Sequence, residues 1–225
     1  MRKGRIMSKP RKEYIPALSY DSLTPLYDLA IRLTMPESRF KRRLIEQADI
    51  REDHQVLDLG CGTGTLTILI KKTHPNAKVV GLDGDPKILN LARAKAARAE
   101  VELIFNNGMA FELPYPDDSF DRVLSSLVFH HLTRNDKART LQEVFRVLQP
   151  GGELHIADWG KPQNLLMRVA SLPLRMFDGL ETTRDNVKGL LPEMFRNTGF
   201  EGVQECARFM TLFGTLSLYK ARKSH

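Results

Sequence analysis

The sequence has 225 residues, of which 42% are hydrophobic and 27% charged, and its 34 basic side chains against 27 acidic ones set a formal net charge of +7. That length suits one domain with a continuous core, and the composition is that of an ordinary globular protein with no apolar run long enough to cross a bilayer. Two cysteines give no support to a disulfide framework, and no apolar stretch follows the basic start as a secretory signal would require, so we expect a cytoplasmic protein.

Most of the net positive charge lies in the first twelve residues. Of the 34 basic residues, six are found there with no acid between them, which leaves 28 basic against 27 acidic in the rest of the chain. The remaining body is therefore almost neutral. Such an arm is either a solvated, mobile terminus or a segment that contacts phosphates or lipid head groups. The six are Arg2, Lys3, Arg5, Lys9, Arg11 and Lys12.

Short apolar strands alternate with amphipathic helices along the chain, an order typical of a parallel sheet covered by helices. Strands are predicted at 55–59, 78–82, 101–106, 120–126, 153–158, 202–209 and 214–221. Helices are predicted at 64–74, 86–99, 136–148 and 191–198, with one or two more inside 22–50. Pro150-Gly151-Gly152 is expected to end the helix that reaches 148. These elements predict a Rossmann-like, doubly wound α/β fold with seven strands, mostly parallel with an antiparallel last strand, in three α/β/α layers.

The domain organisation follows from the same pattern. Residues 1–50 are predicted to form a basic arm and N-terminal lid helices, and 51–225 a single domain with a lid insert at about 160–190. Apolar side chains of the insert either line a substrate chamber or pack helices together. They are Met167, Leu172, Leu174, Met176 and Phe177.

A buried strand ends in three alternating glycines and leads directly into a helix, in the stretch from Val56 to Gly64. Glycines at such a turn remove side chains that would block a ligand and tolerate a positive φ. Backbone N–H groups at Gly60, Cys61, Gly62 and Gly64 then face the ligand. The sequence therefore predicts a cofactor site at this turn.

The spacing of the acids around this turn indicates which cofactor it is. A dinucleotide fingerprint needs a third glycine where Thr65 stands, which disfavours NAD. Asp58, two residues before the first glycine, would repel a pyrophosphate but suits the amine of S-adenosylmethionine. Asp83 ends the second predicted strand, where an acid can accept both ribose hydroxyls. We expect Asp83→Ala and Gly60→Val to abolish binding while leaving the fold largely intact.

These residues, together with 113–121 and Pro150-Gly151-Gly152, resemble the motifs of class I S-adenosylmethionine-dependent methyltransferases over about 55–158. The resemblance implies S-adenosylmethionine as cofactor and S-adenosylhomocysteine as product. It also implies that the glycine turn wraps the methionine portion, that Asp83 holds the ribose, and that Gly84 and Ser126 lie in the same site.

The loop after the third strand departs from the family pattern. The family usually has Gly-Asp-Ala, with the acid or an amide binding adenine, whereas this chain has Gly108-Met109-Ala110. The resemblance then implies that Met109 packs on the adenine face and that backbone groups of Met109 and Ala110 contact its edge. Either adenine is held less specifically, or Asn107 replaces the missing side chain.

A segment at 20–30 is similar, more narrowly, to the entry segment of ubiquinone/menaquinone-biosynthesis C-methyltransferases and their small-molecule relatives. In those enzymes the second tyrosine of the segment, Tyr27 here, closes over the cofactor. The alternative is that these tyrosines pack an amphipathic helix onto the body. The similarity favours a small-molecule acceptor without pointing to quinones in particular.

Two adjacent histidines follow the fourth predicted strand, at the edge where ligands gather. His131, slightly preferred, or His130 is a candidate general base for an acceptor that must lose a proton. The alternative is a capping or packing role. The other histidines share no ligand spacing with each other or with the cysteines, so no metal site is predicted.

The sequence thus predicts a methyltransferase that moves a methyl group to a small-molecule acceptor by in-line displacement. The alternatives are a nucleic-acid methyltransferase that uses the basic arm and a non-catalytic S-adenosylmethionine-binding protein. Nucleic acid is the less favoured partner because the body is nearly charge-balanced. The acceptor and the choice between monomer and homodimer stay open.

Overall fold

Seven strands form one sheet in the computed structural model, which describes residues 37–177 and 179–224 and leaves out the side chains of 173–177 and 180. The sheet order is β3-β2-β1-β4-β5-β7-β6. Strands β1 to β5 run parallel, and β7 is antiparallel to both β5 and β6. The strands are β1 (Gln55–Leu59), β2 (Lys78–Asp83), β3 (Ile104–Asn107), β4 (Phe120–Ser126), β5 (Leu148–Trp159), β6 (Glu201–Thr211) and β7 (Gly214–Arg222).

Helices cover both faces of this sheet. Phe40 of the first helix and Ile70 of the second pack on one face, and Val144 of the fourth and Phe195 of the seventh pack on the other. The predicted three-layer Rossmann-like fold is therefore confirmed. The helices are α1 (Glu37–Ala48), α2 (Thr65–Thr73), α3 (Pro86–Arg98), α4 (Arg134–Val147), α5 (Leu165–Phe177), α6 (Leu180–Lys188) and α7 (Leu191–Thr198).

Several helix ends are set by local signals that are visible in the sequence. The Asp85 carboxylate accepts a hydrogen bond from Lys87 N at 2.8 Å and caps α3. The Thr133 hydroxyl accepts one from Asp136 N at 3.2 Å and caps α4, which begins two residues before the predicted start. Gly199 has a φ of 108° and ends α7 at the predicted residue.

Two predicted strand boundaries are wrong. Strand β3 begins at Ile104, because its pairing with β2 starts only at Val80, and 101–103 have no partner strand. Strand β5 begins at Leu148, opposite Phe120, so Pro150-Gly151-Gly152 lies inside β5 and does not end the preceding helix, which stops at Val147. The register shift between Phe120 and Arg122 accommodates the extra residues as a bulge.

The predicted insert at 160–190 consists of α5 and α6, and the predicted helical region at 22–50 contributes α1. Residues 1–36, with the basic arm, lie outside the described part of the chain. No helix in the described part is both long and apolar enough to span a membrane. The division into lid and domain stays a prediction.

Candidate active site

The site lies where the order of the sheet strands reverses. Strands β2 and β3 lie on one side of β1, and β4 and β5 lie on the other. The connections that leave β1 and β4 therefore diverge and open a crevice at the carboxyl edge of the sheet, where parallel α/β folds bind ligands. The glycine turn, Asp83, the Gly108 loop and the paired histidines all follow strands at this edge.

Gly60 holds the glycine turn against neighbouring backbone and side chains. Its N–H and that of Cys61 donate to the Leu82 carbonyl at 2.8 and 2.9 Å, so the expectation that these two N–H groups face the ligand is wrong. Gly60 has a φ of 69°, and a Cβ added there would lie 2.4 Å from Cγ2 of Val128. A larger residue would strain the backbone and displace the loop after β4. We therefore expect Gly60→Val to destabilise the fold, contrary to the expectation from the sequence that the fold stays largely intact.

The other two glycines of the turn serve different purposes. Gly62 has a φ of 53°, and none of the described residues lies within 4 Å of an added Cβ, so its backbone is open to a ligand. Gly64, with a φ of 73°, caps α2 and approaches the Phe105 ring, which would lie 3.0 Å from an added Cβ. One glycine thus exposes backbone, and the other allows close packing of helix on strand.

Asp83 is held in place by the backbone of both adjoining turns. Its carboxylate accepts hydrogen bonds from Gly62 N at 2.9 Å and from Asp85 N at 3.0 Å. The side chain is half-buried, as is Gly84 beside it. Because each carboxylate oxygen has more than one lone pair, Asp83 can still accept hydroxyl donors from a ligand.

Asp58 is a buried carboxyl group with one oxygen unpaired. Its Oδ2 accepts a hydrogen bond from the Thr67 hydroxyl at 2.6 Å, whereas Oδ1 has no partner among the described residues. The residue is 1% exposed, and burial raises the pKa of Asp58 to about 6. A buried acceptor without a donor is costly, so this oxygen suits a cationic donor from a ligand.

Hydrogen bonds to the main chain of Asp83 hold the loop after β3 in place. The Asn107 side-chain amide and Gly108 N donate to the Asp83 carbonyl at 3.0 and 3.1 Å. Met109 and Ala110 are half-buried beside this edge, and Met109 forms an isolated antiparallel bridge with Glu112. The Asn107 side chain therefore orders the loop.

Strand β4 ends in an unusual backbone conformation. Leu127 has a φ of 60°, which is uncommon for a residue with a side chain, and its N–H donates to the Ala157 carbonyl at 2.8 Å. Ser126, just before it, has a buried hydroxyl without a hydrogen-bond partner among the described residues. Strain and an unpaired buried polar group meet here, as they often do at functional sites.

The carboxylate of Asp158, at the end of β5, organises the loop after β4. It is completely buried and accepts hydrogen bonds from five donors: Val128 N (3.1 Å), Phe129 N (2.7 Å), His130 Nδ1 (2.8 Å), Trp159 N (2.7 Å) and Asn186 Nδ2 (3.1 Å). Burial alone would raise the pKa of Asp158, but His130 and the hydrogen bonds keep it below its usual range.

Sequence reasoning assigned no role to Asp158. A signal was present, because an acid inside the apolar end of a buried strand needs partners. Those partners could not be named, since His130 and Asn186 both lie 28 residues away in the chain.

The two candidate histidines occupy different environments. His130 is 3% exposed and bonded to Asp158, whereas His131 is exposed, with its ring centroid 3.9 Å from that of His130. The positive charge that His130 can carry lowers the pKa of His131 well below its usual range. His131 is therefore neutral at physiological pH, whereas the hydrogen bond to the buried Asp158 carboxylate fixes the orientation of the His130 ring.

The remaining predicted residues divide into several groups. Tyr27 lies outside the described residues. Cys61 is buried, and burial raises the pKa of its thiol, so it is a turn residue without thiolate character. In the insert, Met167 is buried but Leu172 is 48% exposed, so the two do not line one chamber. The side chains of Leu174, Met176 and Phe177 are not described.

Comparison with known proteins identifies relatives of this chain. The family described as "Methyltransferase domain" matches residues 56–152. A demethylmenaquinone methyltransferase of Thermus thermophilus is 37% identical over 145 residues, which span 64% of this chain and 65% of the relative, just under two thirds of its length. An uncharacterized methyltransferase of Synechocystis is 32% identical over 189 residues, which span 83% of this chain and 84% of the relative.

Solved structures share the fold at low sequence identity. The YcgJ protein of Bacillus subtilis has a TM-score of 0.69 and 19% identity, covering 82% of this chain and 98% of that one. A SAM-dependent methyltransferase of Aquifex aeolicus has a TM-score of 0.64 and 18% identity, covering 91% of this chain and 100% of that one. At such identities these similarities concern the fold alone.

Proposed function

We propose that this chain, which belongs to the class I S-adenosylmethionine-dependent methyltransferase family, transfers a methyl group to a small-molecule acceptor. The observation that carries this proposal is the pair of acids at the crevice. Asp58 offers a buried, unpaired carboxyl oxygen, and Asp83 offers a carboxylate fixed by two backbone N–H groups. A cation and a diol are the ligand groups that these two acids suit best.

The residues of the site fit the parts of S-adenosylmethionine. Asp58 would accept hydrogen bonds from the ammonium group, and the open backbone at Gly62 would lie against the methionine portion. Asp83 would accept the ribose hydroxyls, and Met109 and Ala110 would contact adenine. When bound, S-adenosylmethionine supplies a methyl group attached to a positively charged sulfur, so the protein needs no covalent nucleophile.

The protein then has to orient the acceptor, exclude water and hold a proton. We assign the last task to His130. With its Nδ1–H donated to Asp158, the basic nitrogen of the ring is Nε2. His131, which stays neutral, is the second candidate.

We further propose a quinol-type aromatic acceptor. Relatives from Thermus, Deinococcus and Proteus carry names that specify methylation of menaquinone or ubiquinone precursors. Loss of a proton from a ring hydroxyl raises the electron density at the adjacent carbon, which makes that carbon a competent methyl acceptor. A base such as His130 would serve this chemistry.

Calorimetric titration tests the cofactor, and an acceptor screen tests the reaction. We expect S-adenosylmethionine and S-adenosylhomocysteine to bind and NAD not to bind. Reduced demethylated naphthoquinones should then gain one methyl group, detected by mass spectrometry, whereas RNA should not. Binding of NAD alone would contradict the cofactor assignment, and methylation of RNA but not of the quinol would contradict the acceptor class.

The affinity for S-adenosylmethionine should fall as the pH is lowered through about 6. The raised pKa of Asp58, caused mainly by burial, means that its carboxyl becomes neutral below that pH and no longer attracts the ammonium group. Calorimetric titrations with S-adenosylmethionine at several pH values between about 5 and 8, on both sides of the expected midpoint, would measure this change.

Adenosine, which lacks the amino-acid portion, is the matched ligand control and should bind without this pH dependence. Asp58→Asn should bind S-adenosylmethionine more weakly and with a flat pH profile. An unchanged pH dependence in this variant would show that another group titrates.

His130→Asn should lower kcat by roughly 10² to 10⁴ while the affinity for S-adenosylmethionine is kept. Asparagine keeps a donor near the position of Nδ1 for the bond to Asp158 but removes Nε2.

His131→Asn is the matched control and should reduce kcat by less than about tenfold. A larger loss in His131→Asn than in His130→Asn would assign the base to His131 instead.

A further inference from the structure

Helix α5 carries apolar side chains on opposite faces. Met167 and Ser171 are buried against the body, whereas four apolar residues between Leu165 and Leu172 are exposed. At 3.6 residues per turn, the outward apolar residues fall on one side of the helix, away from the buried pair. They are Leu165 (74% exposed), Leu166 (69%), Val169 (56%) and Leu172 (48%).

The β6–β7 hairpin packs beside α5 and carries two further exposed apolar residues. The hairpin packs on α5 at Ser171, whose Cβ would lie 3.1 Å from a Cβ added to Gly214. Met210 and Leu212, at the same end of the hairpin, are 63% and 66% exposed. We call the outward apolar residues of α5, with Met210 and Leu212, the α5 surface. Exposed apolar groups clustered in this way mark an interaction site.

A basic cavity adjoins the α5 surface. It has a volume of about 560 Å³ and is lined by residues from the start of α5 and from α6. Leu165 belongs to both the cavity wall and the α5 surface, and no acidic residue lines the cavity among the residues that the structure describes. Within the described ranges, none of its cations forms an ion pair. Those cations are Lys161, Arg168, Arg184 and Lys188.

We propose that the α5 surface docks on an anionic lipid bilayer. Its apolar residues would enter the boundary between head groups and acyl chains, while the four cations of the cavity contact lipid phosphates. This charge distribution disfavours a second copy of the chain as the occupant, because the two basic cavities would face each other and repel. The proposal does not depend on methyl transfer.

Vesicle flotation with the full chain tests the proposal. Binding is expected to vesicles that contain phosphatidylglycerol, to be weakened by salt, and to be much weaker to phosphatidylcholine alone. The double variant Leu166→Glu/Val169→Glu should lower the partition coefficient by at least about tenfold. Arg184→Ala/Lys188→Ala should lower it by about tenfold or more, since each cation contributes roughly fivefold.

Matched controls lie on α3, at the opposite edge of the sheet. Leu91→Glu changes an apolar residue that is 57% exposed, and Lys87→Ala/Arg98→Ala removes two exposed cations. Both controls should keep vesicle binding. Because all these positions are on the surface, each variant should melt at nearly the wild-type temperature.

A second measurement places α5 at the lipid directly. Tryptophan introduced as Leu166→Trp should be quenched by brominated lipids, whereas the native Trp159, which is 4% exposed, should not be. Absence of quenching, or α5-surface variants that bind vesicles like the wild type, would overturn the proposal and leave 1–12 as the contact. Variants that change the oligomeric state but not vesicle binding would also overturn it, in favour of contact between copies.

Discussion

Asp83→Ala should weaken S-adenosylmethionine binding by at least about a hundredfold. The carboxylate would receive two ribose hydroxyls as charge-assisted hydrogen bonds, each contributing about 1.5 to 3 kcal/mol. Removal of the carboxylate also takes away the acceptor of the hydrogen bond from Gly62 N, which measures 2.9 Å. The part of the glycine turn around Gly62 should then be less well ordered. Calorimetry with S-adenosylmethionine and S-adenosylhomocysteine would measure the loss for both ligands.

Asp85→Ala is the matched control for Asp83→Ala. Asp85 is an acid two residues further along that caps α3 through its contact with Lys87 N. Its removal should cost about 1 kcal/mol of unfolding free energy but leave cofactor affinity within about threefold. If Asp83→Ala bound the cofactor as well as Asp85→Ala does, the assignment of the ribose site to the end of β2 would be wrong.

Asp158→Ala should lower the free energy of unfolding by about 3 to 5 kcal/mol. Five donors converge on this fully buried carboxylate, and its loss leaves them unpaired, including the ring of His130. Urea denaturation at neutral pH would measure the change. Asp158→Asn, which keeps one acceptor oxygen, should lose less.

The same group should contribute to acid denaturation. Its folded pKa is below the ordinary carboxyl value, because His130 and the hydrogen bonds outweigh the effect of burial. The stabilisation is therefore fully present at neutral pH and is lost only as the pH falls through that lowered pKa.

An exposed acid serves as the control for Asp158. Asp117 pairs with Arg146 at 2.8 Å on the surface, and Asp117→Ala should cost less than about 1 kcal/mol. A loss of that same small size for Asp158→Ala would show that the buried carboxylate does not hold the β4 loop in place.

The parts of the fold that local chemistry sets could be predicted. Strands β1 and β4 and helix α7 have the predicted ends, because apolar runs and a terminal glycine mark them in the chain itself. The start of β5 could not be predicted in this way. Pro150-Gly151-Gly152 is a breaker by local preference, and only pairing with Phe120 across the sheet extends the strand through it.

The residues proposed to bind the cofactor could be predicted from the sequence for the same reason. The apolar pattern already marks the ends of β1 and β2, where the three glycines and the acids Asp58 and Asp83 lie. The role predicted for each of these residues depends on its position in the backbone at that strand end. The spacing was enough to favour S-adenosylmethionine over NAD. That Gly60 is also a packing residue required the position of Val128, which lies in the loop after β4, far from Gly60 in the chain.

By itself, the sequence determined the fold class, the glycine turn and the acids near the ends of β1 and β2, since these depend on contacts close in the chain and on backbone conformation. Only the tertiary structure decided that His130 is the histidine held by Asp158, that Asn186 joins them, and that the outward side of α5 is apolar beside a basic cavity. Those relations join residues far apart in sequence, and their contacts and charges are fixed only once the sheet and its lid helices have packed together.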